Sequence, residues 1–227
     1  MMVNFGVFTT EQERNFRLQV VRRIIRESMV PIDESIEKIH VKLNPNNDLD
    51  VKAQSWKMEE KINIYTTVYD IFCSAAMEGF WPYAVSQYYE KYEHTVTERI
   101  SNYVIPSLED KIGEDFIIEV AKQWTQLDEY KRNLHIIFGH VEKVAVNLSL
   151  SKPLFVDICK TKFCNMVWDK FHCEIDFSVT KMKESSSGMF SNESTPLKEE
   201  LVKFFDDMEK VSNKGLKQTL HIIEEDC

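Results

Sequence analysis

The chain has 227 residues, of which 43% are hydrophobic and 29% are charged, and this composition is ordinary for a folded protein with a sizeable core. Only 6 glycines and 6 prolines are present, which leaves little material for tight hairpins or phosphate-cradling loops and favours long helices. The formal net charge of −9 repels nucleic acid phosphates. An all-α protein that does not bind nucleic acid is therefore the first expectation.

The cysteines and the hydropathy pattern indicate an intracellular protein. There are 5 cysteines, an odd number without regular spacing, and no signal peptide or membrane-spanning run is apparent. We expect reduced thiols, no membrane partner, and a location in the cytoplasm, the nucleus or both.

The N-terminal region predicts two helices separated by a proline. Thr10 followed by Glu13 is a capping-box pattern, which predicts that a helix starts there and continues to Pro31. A second, short helix is expected to end before segment 44–48, whose residue types are typical of a turn or loop.

Two further helices are predicted before Pro106. From about Ser55 the chain follows one apolar helix face until residues 80–82 break it. The members of that face are Trp56, Ile62, Tyr65, Val68, Tyr69 and Phe72. The next helix runs to Pro106, where the missing amide donor predicts a kink or an end.

The remainder of the chain also has helical periodicity. Two helices are predicted between Pro106 and residue 150, with Asp128 available as the N-cap of the second, and another helix is expected to begin near Ser151. A Ser-rich segment near 184–195 predicts a flexible linker, after which Thr195 and Pro196 start a last helix. That helix would hold Leu197, Leu201, Phe204 and Met208.

No arrangement of residues predicts catalysis or cofactor binding. The glycines are too far apart for either common nucleotide-phosphate loop. His135 and His140 are five residues apart, whereas two ligands on one helix need a spacing of three or four to share a zinc ion. His172 and Cys173 are adjacent and point about 100° apart on a helix. We therefore expect no catalytic, cofactor or metal site and no enzymatic activity.

Several segments resemble a known family when they are taken in order. The sequence contains IYTTVYD at 64–70, YYEKY at 88–92, ISNYVIPSL at 100–108, EVAKQW at 119–124 and SKPL at 151–154. In this order and spacing they resemble the N-terminal region of plant cullins of the SCF class, over about residues 33–210. The resemblance implies an all-α, cullin-repeat-like helical stalk, that is, an α-solenoid of helical-bundle repeats.

The resemblance also implies a domain organisation. Residues 1–31 would form a helix outside the family match, residues 32–150 the first cullin-like repeat, and residues 151–227 an incomplete second repeat. In cullins the C-terminal half binds the RING subunit and carries the lysine that receives a ubiquitin-like protein. No counterpart of that half is recognised here, so a RING subunit is not an expected partner.

The function implied by the resemblance is that of a scaffold. The first cullin repeat binds a Skp-type adaptor and, through it, F-box proteins, in ubiquitin-dependent protein catabolism. The residues that correspond to the adaptor-binding surface are Ile62, Tyr65, Val68, Tyr69, Val141, Glu142, Lys143 and Val144. They lie on one helix and at the end of another.

The sequence departs from the family at parts of this surface. Cullins usually have an aromatic residue in place of Lys61, and a Tyr-Phe pair and two arginines in place of residues 144–145 and 148–149. Two alternatives therefore stay open: a diverged helical protein with another partner, and a cullin remnant that has lost binding. In the second alternative Tyr65 and Tyr69 would be core residues.

Overall fold

The computed structural model describes residues 11–43, 57–77, 79–185 and 204, and within them the protein is all-α without a strand. The helices are α1 (Glu11–Lys42), α2 (Met58–Met77), α3 (Trp81–Arg99), a π-helical turn (Ile100–Val104), α4 (Ile105–Glu109), α5 (Gly113–Asn147) and α6 (Phe155–Ser185). The predicted all-α fold is confirmed. A break between α2 and α3 is present as predicted, but it ends at Phe80, because Trp81 and Pro82 already belong to α3. In the described part of the chain, none of the helices is both long and apolar enough to cross a bilayer.

Helix α1 passes through Pro31 without a break, so the predicted helix end at that residue is wrong. A proline inside a helix costs about 3 kcal/mol because it removes one backbone hydrogen bond and crowds the preceding turn. The same apolar face is buried on both sides of the proline, at Val21, Ile25, Ile32, Ile36 and Ile39. Full burial of each such side chain stabilises the fold by about 1.5–3 kcal/mol, so the continuous face outweighs the proline.

Pro106 is accommodated by a change of hydrogen-bond register. The π-helical turn ends where the Ile105 backbone N–H donates to the Ile100 carbonyl, five residues back, and Pro106 then lies in the first turn of α4. A proline is tolerated there because its missing N–H would have no intrahelical acceptor. The chain therefore stays helical to Glu109, and the predicted irregularity takes the form of the π-helical turn.

Helix α5 is one helix of 35 residues, and the prediction of two helices separated at Asp128 is wrong. Leu127 and Tyr130, which flank this position, are both buried, so the helix continues to pack across it. The Asp128 carboxylate is exposed and pairs with Lys131, one turn further along the helix, instead of capping a new helix.

Helix α6 starts at Phe155, four residues after the predicted start at Ser151, and it bends at Phe171, whose backbone is not helical. The Phe171 ring is buried and lies 5.5 Å from the ring of Phe116 in α5. Cys159 and Cys164 are buried thiols that pack as small apolar groups on the inner face of this helix, whereas Cys173 is exposed.

The chain forms two compact units. One unit groups Met1–Tyr92 with Arg132–Lys152, and the other groups Glu93–Lys131 with Pro153–Cys227, so α3 and α5 contribute residues to both. The aromatic core of the first unit includes Phe72, Tyr88, Tyr92 and Phe138, and that of the second includes Phe116, Trp124, Phe163, Phe171 and Phe204. The predicted repeat boundaries stay a prediction. Of the predicted flexible segment near 184–195, residues 184–185 belong to α6 instead. The rest of that segment and most of the predicted last helix lie outside the described residues.

Candidate partner-binding surface

Helix α2 begins with charges that suit a helix N-terminus. Glu59 and Glu60 lie in its first turn, where the helix dipole favours negative charge. The Glu60 carboxylate accepts a hydrogen bond from the Lys57 backbone N–H at 3.0 Å and pairs with Lys38 of α1 at 3.2 Å. The Lys57 backbone hydrogen bond and then Lys38 lower the pKa of Glu60. These contacts fix the start of α2 and place it beside α1.

Helix α2 carries two apolar stripes, one buried and one exposed. Val68, Ile71 and Phe72 are buried in the first unit. The second stripe consists of Met58, Ile62, Tyr65 and Tyr69, which recur every three or four residues and therefore lie along one line of the helix. Ile62 is 55% exposed, Tyr65 47% and Tyr69 44%. We call these four residues the α2 surface stripe.

His140 of α5 lies against the two tyrosines of the α2 surface stripe. Its ring centroid is 5.7 Å from that of Tyr65 and 5.1 Å from that of Tyr69, and both contacts are edge-to-face. The Tyr65 and Tyr69 rings are stacked at 6.4 Å, and Phe72 closes the inner side of the imidazole at 5.9 Å. Tyr65, Tyr69 and His140 form what we call the aromatic cluster.

Two titratable groups of the aromatic cluster, His140 and Tyr69, are shifted toward their neutral forms. Burial, and then the positive charge of Lys143 one turn away, lower the pKa of His140. A hydrogen bond with the Cys73 thiol raises the pKa of Tyr69. Two phenol rings and an imidazole make a surface that is aromatic in body and polar at its edges, which is typical of protein interfaces.

The predicted binding residues divide into exposed and buried ones. Ile62, Tyr65 and Tyr69 are exposed, so the alternative that the two tyrosines are core residues is wrong. Val68 and Val141, assigned to the same surface, are each 0% exposed, and they hold α2 and α5 in place instead of offering contact area.

The other predicted residues follow Val141 at the end of α5. Lys143 is exposed there, whereas Glu142 and Val144 are half-buried. Glu142 faces α3, where burial and then its negative charge raise the pKa of Tyr89 to about 12. Lys143 is thus the exposed member of this group.

The departures from the cullin pattern differ in their consequences. Ala145, in place of an aromatic residue, is buried, so this difference changes the packing of α5 and leaves the surface unaltered. Lys61 and Val144 are half-buried, and Leu148 is exposed, so these three do change what a partner would meet. The aromatic character of the surface now rests on α2 and His140.

Sequence reasoning missed the role of His140, because it treated this residue only as half of a histidine pair. His135 is exposed, and its imidazole lies over Gly139. Within the described residues there is no cluster of three side chains able to hold a metal ion. A signal for His140 was its position directly before Val141, at the start of the α5 segment already assigned to the surface.

Comparison with known proteins gives a distant and partial similarity. No known protein family matches the chain, and no solved structure matches it. Cullin-1 of rice (Oryza sativa subsp. japonica) is 23% identical over 124 residues, which are 55% of this chain and 16% of the rice protein. The chain is thus similar to a cullin over about half of its own length, and the match spans about one sixth of the rice protein.

Proposed function

We propose that this chain is a cullin-like scaffold that binds a Skp-type adaptor of a ubiquitin ligase through the α2 surface stripe, and through the adaptor binds F-box proteins. The observation that carries the proposal is the exposure of Tyr65 and Tyr69 in front of His140. The similarity to rice Cullin-1 and the order of the sequence segments support the choice of partner. The role is one of binding in the cytoplasm or nucleus, in ubiquitin-dependent protein catabolism, and it includes no enzymatic step.

The aromatic cluster has the physical properties of a binding hot spot. Tyrosine contributes a large apolar area and a polar hydroxyl, and its ordering on binding costs little entropy because it has only two side-chain torsions. Here the ring contacts among Tyr65, Tyr69 and His140 restrain those torsions before a partner arrives. Such preorganisation lowers the cost of association.

Polar residues surround the cluster. Asp70 and Lys143 are exposed and Lys61 is half-buried, so both signs of charge border the aromatic rings. An apolar centre with a charged rim is the usual organisation of a specific interface, in which the centre supplies affinity and the rim supplies orientation.

Titration calorimetry with a recombinant Skp-type adaptor tests the proposal. Truncation of a central interface tyrosine typically costs about 2 kcal/mol, so Tyr65→Ala and Tyr69→Ala should each weaken the Kd by about 30-fold. Tyr69→Phe keeps the ring and should change the Kd by less than about threefold. Phe16→Ala removes an exposed aromatic side chain of α1 and serves as the matched surface control.

Two results would contradict the proposal. The first is a Kd weaker than about 50 μM for the unmodified chain, which corresponds to only about −6 kcal/mol. The second is tight binding that neither tyrosine truncation weakens, which would place the adaptor elsewhere. Circular dichroism of each variant shows whether the fold is retained, as expected for side chains that are nearly half exposed.

The departures at Lys61 and Val144 favour a second candidate, a helical interaction protein that uses the same stripe for a different partner. Restoring an aromatic residue with Lys61→Tyr distinguishes the two. If Lys61→Tyr gains adaptor affinity, the cullin-like role is supported. If the variant keeps its fold and gains no adaptor affinity, the second candidate is supported.

A further inference from the structure

His140 occupies a position where its charge must affect whatever covers the aromatic cluster. The imidazole is half-buried, with Phe72 on its inner side and the edge-to-face rings of Tyr65 and Tyr69 beside it. A partner seated on the two tyrosines removes the remaining water from this ring. Removal of water disfavours an imidazolium far more than a neutral imidazole.

Within the described residues, the charged side chain that acts on the ring carries the same sign as an imidazolium. From α2 the ring meets two phenols, and Asp70 acts on Tyr69 and not on His140. Along α5 the charged side chain that acts on it is Lys143, of the same sign. Glu142 acts instead on Tyr89 of α3. Other titratable groups nearby in the described part of the chain include Cys73, which bonds to Tyr69, Tyr88, which contacts Phe72, and His135, which lies over Gly139.

We infer that His140 makes partner binding at the α2 surface stripe dependent on pH, with the neutral imidazole as the binding form and the imidazolium as the form that rejects the partner. The inference rests on the proposed function, because it concerns the same surface. It adds a regulatory property to that surface which a scaffold with only phenylalanine and tyrosine side chains would lack.

Whether affinity rises or falls with pH follows from the linkage between binding and protonation. In the free protein, burial and Lys143 already hold the pKa of His140 below its usual 6.5, and a covering partner lowers it further. The complex therefore binds fewer protons than the free protein. Affinity is complete above the pKa of the free protein and falls as the pH drops through that value, by at most about tenfold per pH unit for one proton.

Calorimetry with the recombinant Skp-type adaptor from about pH 8 to about pH 5 measures this dependence. His140→Phe keeps a ring against the two tyrosines and has no charge to gain, so its Kd at each pH is compared with its own value at pH 8. Its Kd should then weaken less at acidic pH, and the remaining weakening measures the titration of groups on the partner. Circular dichroism at each pH shows that the chain stays folded.

Nuclear magnetic resonance of the imidazole Cε1–H gives a readout independent of affinity, with the His140 signal assigned from its absence in His140→Phe. Adaptor binding should lower the pKa of His140, and Lys143→Gln should raise it in the free protein. Parallel pH profiles for the unmodified chain and His140→Phe, or a pKa that rises on binding, would overturn this inference alone. Absence of adaptor binding at every pH would overturn the proposed function together with it.

Discussion

Tyr88 of α3 carries a hydroxyl group that the core of the first unit accommodates poorly. The ring is fully buried, and its centroid lies 5.1 Å from that of Phe72 and 6.4 Å from that of Phe138. Among the described residues its hydroxyl has no well-formed hydrogen bond. Ser28 lies close enough to lower the pKa of the phenol slightly, but its hydroxyl donates to the Ile25 carbonyl at 2.5 Å. Tyr88→Phe removes the hydroxyl and keeps the ring contacts.

The expected change in the free energy of unfolding for Tyr88→Phe follows from the cost of burying an unpaired polar group. A hydroxyl buried without a compensating hydrogen bond costs about 1–3 kcal/mol. Because phenylalanine fills the same ring volume without this cost, Tyr88→Phe should raise the free energy of unfolding by about 1 kcal/mol at pH 7, at the low end of that range. Most core substitutions destabilise, so an increase is a discriminating result.

Alkaline pH should widen the difference in stability between Tyr88→Phe and the unmodified chain. Burial raises the pKa of Tyr88 from 10.0 to about 12. The unfolded chain therefore loses the phenolic proton at a lower pH than the folded protein does. The stability that Tyr88 contributes through its proton is complete below pH 10 and is lost as the pH rises from 10 to 12, by about 1.4 kcal/mol per unit. Tyr88→Phe lacks this loss.

Urea denaturation followed by circular dichroism, at about pH 7 and at several values between about pH 9 and pH 11.5, tests both statements. Tyr83→Phe on the same helix is the matched control, since its ring is half exposed and its change at pH 7 should stay within about 0.5 kcal/mol. The reasoning is refuted if Tyr88→Phe is destabilised by more than about 1 kcal/mol at pH 7, which would reveal a hydrogen bond of that size. If Tyr88→Phe and the unmodified chain lose the same stability above pH 10, the pH argument is refuted.

Two further substitutions test the packing of each unit. Phe204→Ala should destabilise the second unit by about 3–5 kcal/mol, because Phe204 is fully buried between Trp124 at 5.4 Å and Phe163 at 6.0 Å, and a loss below about 1.5 kcal/mol in urea denaturation would contradict it. Gly139→Ala should raise the thermal midpoint, with a gain of up to about 1 kcal/mol from helix propensity. The new Cβ would lie 2.6 Å from Cε1 of His135, an exposed side chain that can rotate away, so a lowered midpoint would show that this imidazole is held in place.

The all-α fold was predictable because its two causes are visible in the sequence. Apolar residues recur at helical spacing along nearly the whole chain, and glycines are too few to interrupt them. Helix boundaries were less predictable at Pro31 and Asp128. Proline and an N-cap residue are local signals worth about 1–3 kcal/mol, whereas a continuous buried face of several large side chains is worth more. The apolar periodicity was the stronger signal at both positions.

The candidate surface was predictable only in part. The resemblance to cullins directs attention to α2 and the end of α5, and the structure places Tyr65 and Tyr69 at the surface. The resemblance does not reveal that Val68 and Val141 are buried, because a valine that faces the core and a valine that faces a partner have the same helical spacing in the sequence. His140 was missed because its contacts join residues about 70 positions apart, and no local pattern reports such a distance.

Helix α2 shows why periodicity alone cannot separate a core from a binding surface. Val68, Ile71 and Phe72 satisfy the helical spacing, and so do Ile62, Tyr65 and Tyr69 one stripe away, so that these side chains together span about half of the helix circumference at about 100° per residue. Only the packing of α1, α3 and α5 decides which stripe is covered. Burial of the first stripe fixes the rotation of α2, and that rotation presents the second stripe to solvent beside His140. The partner proposed above would cover this exposed aromatic face, whose position is set by the core.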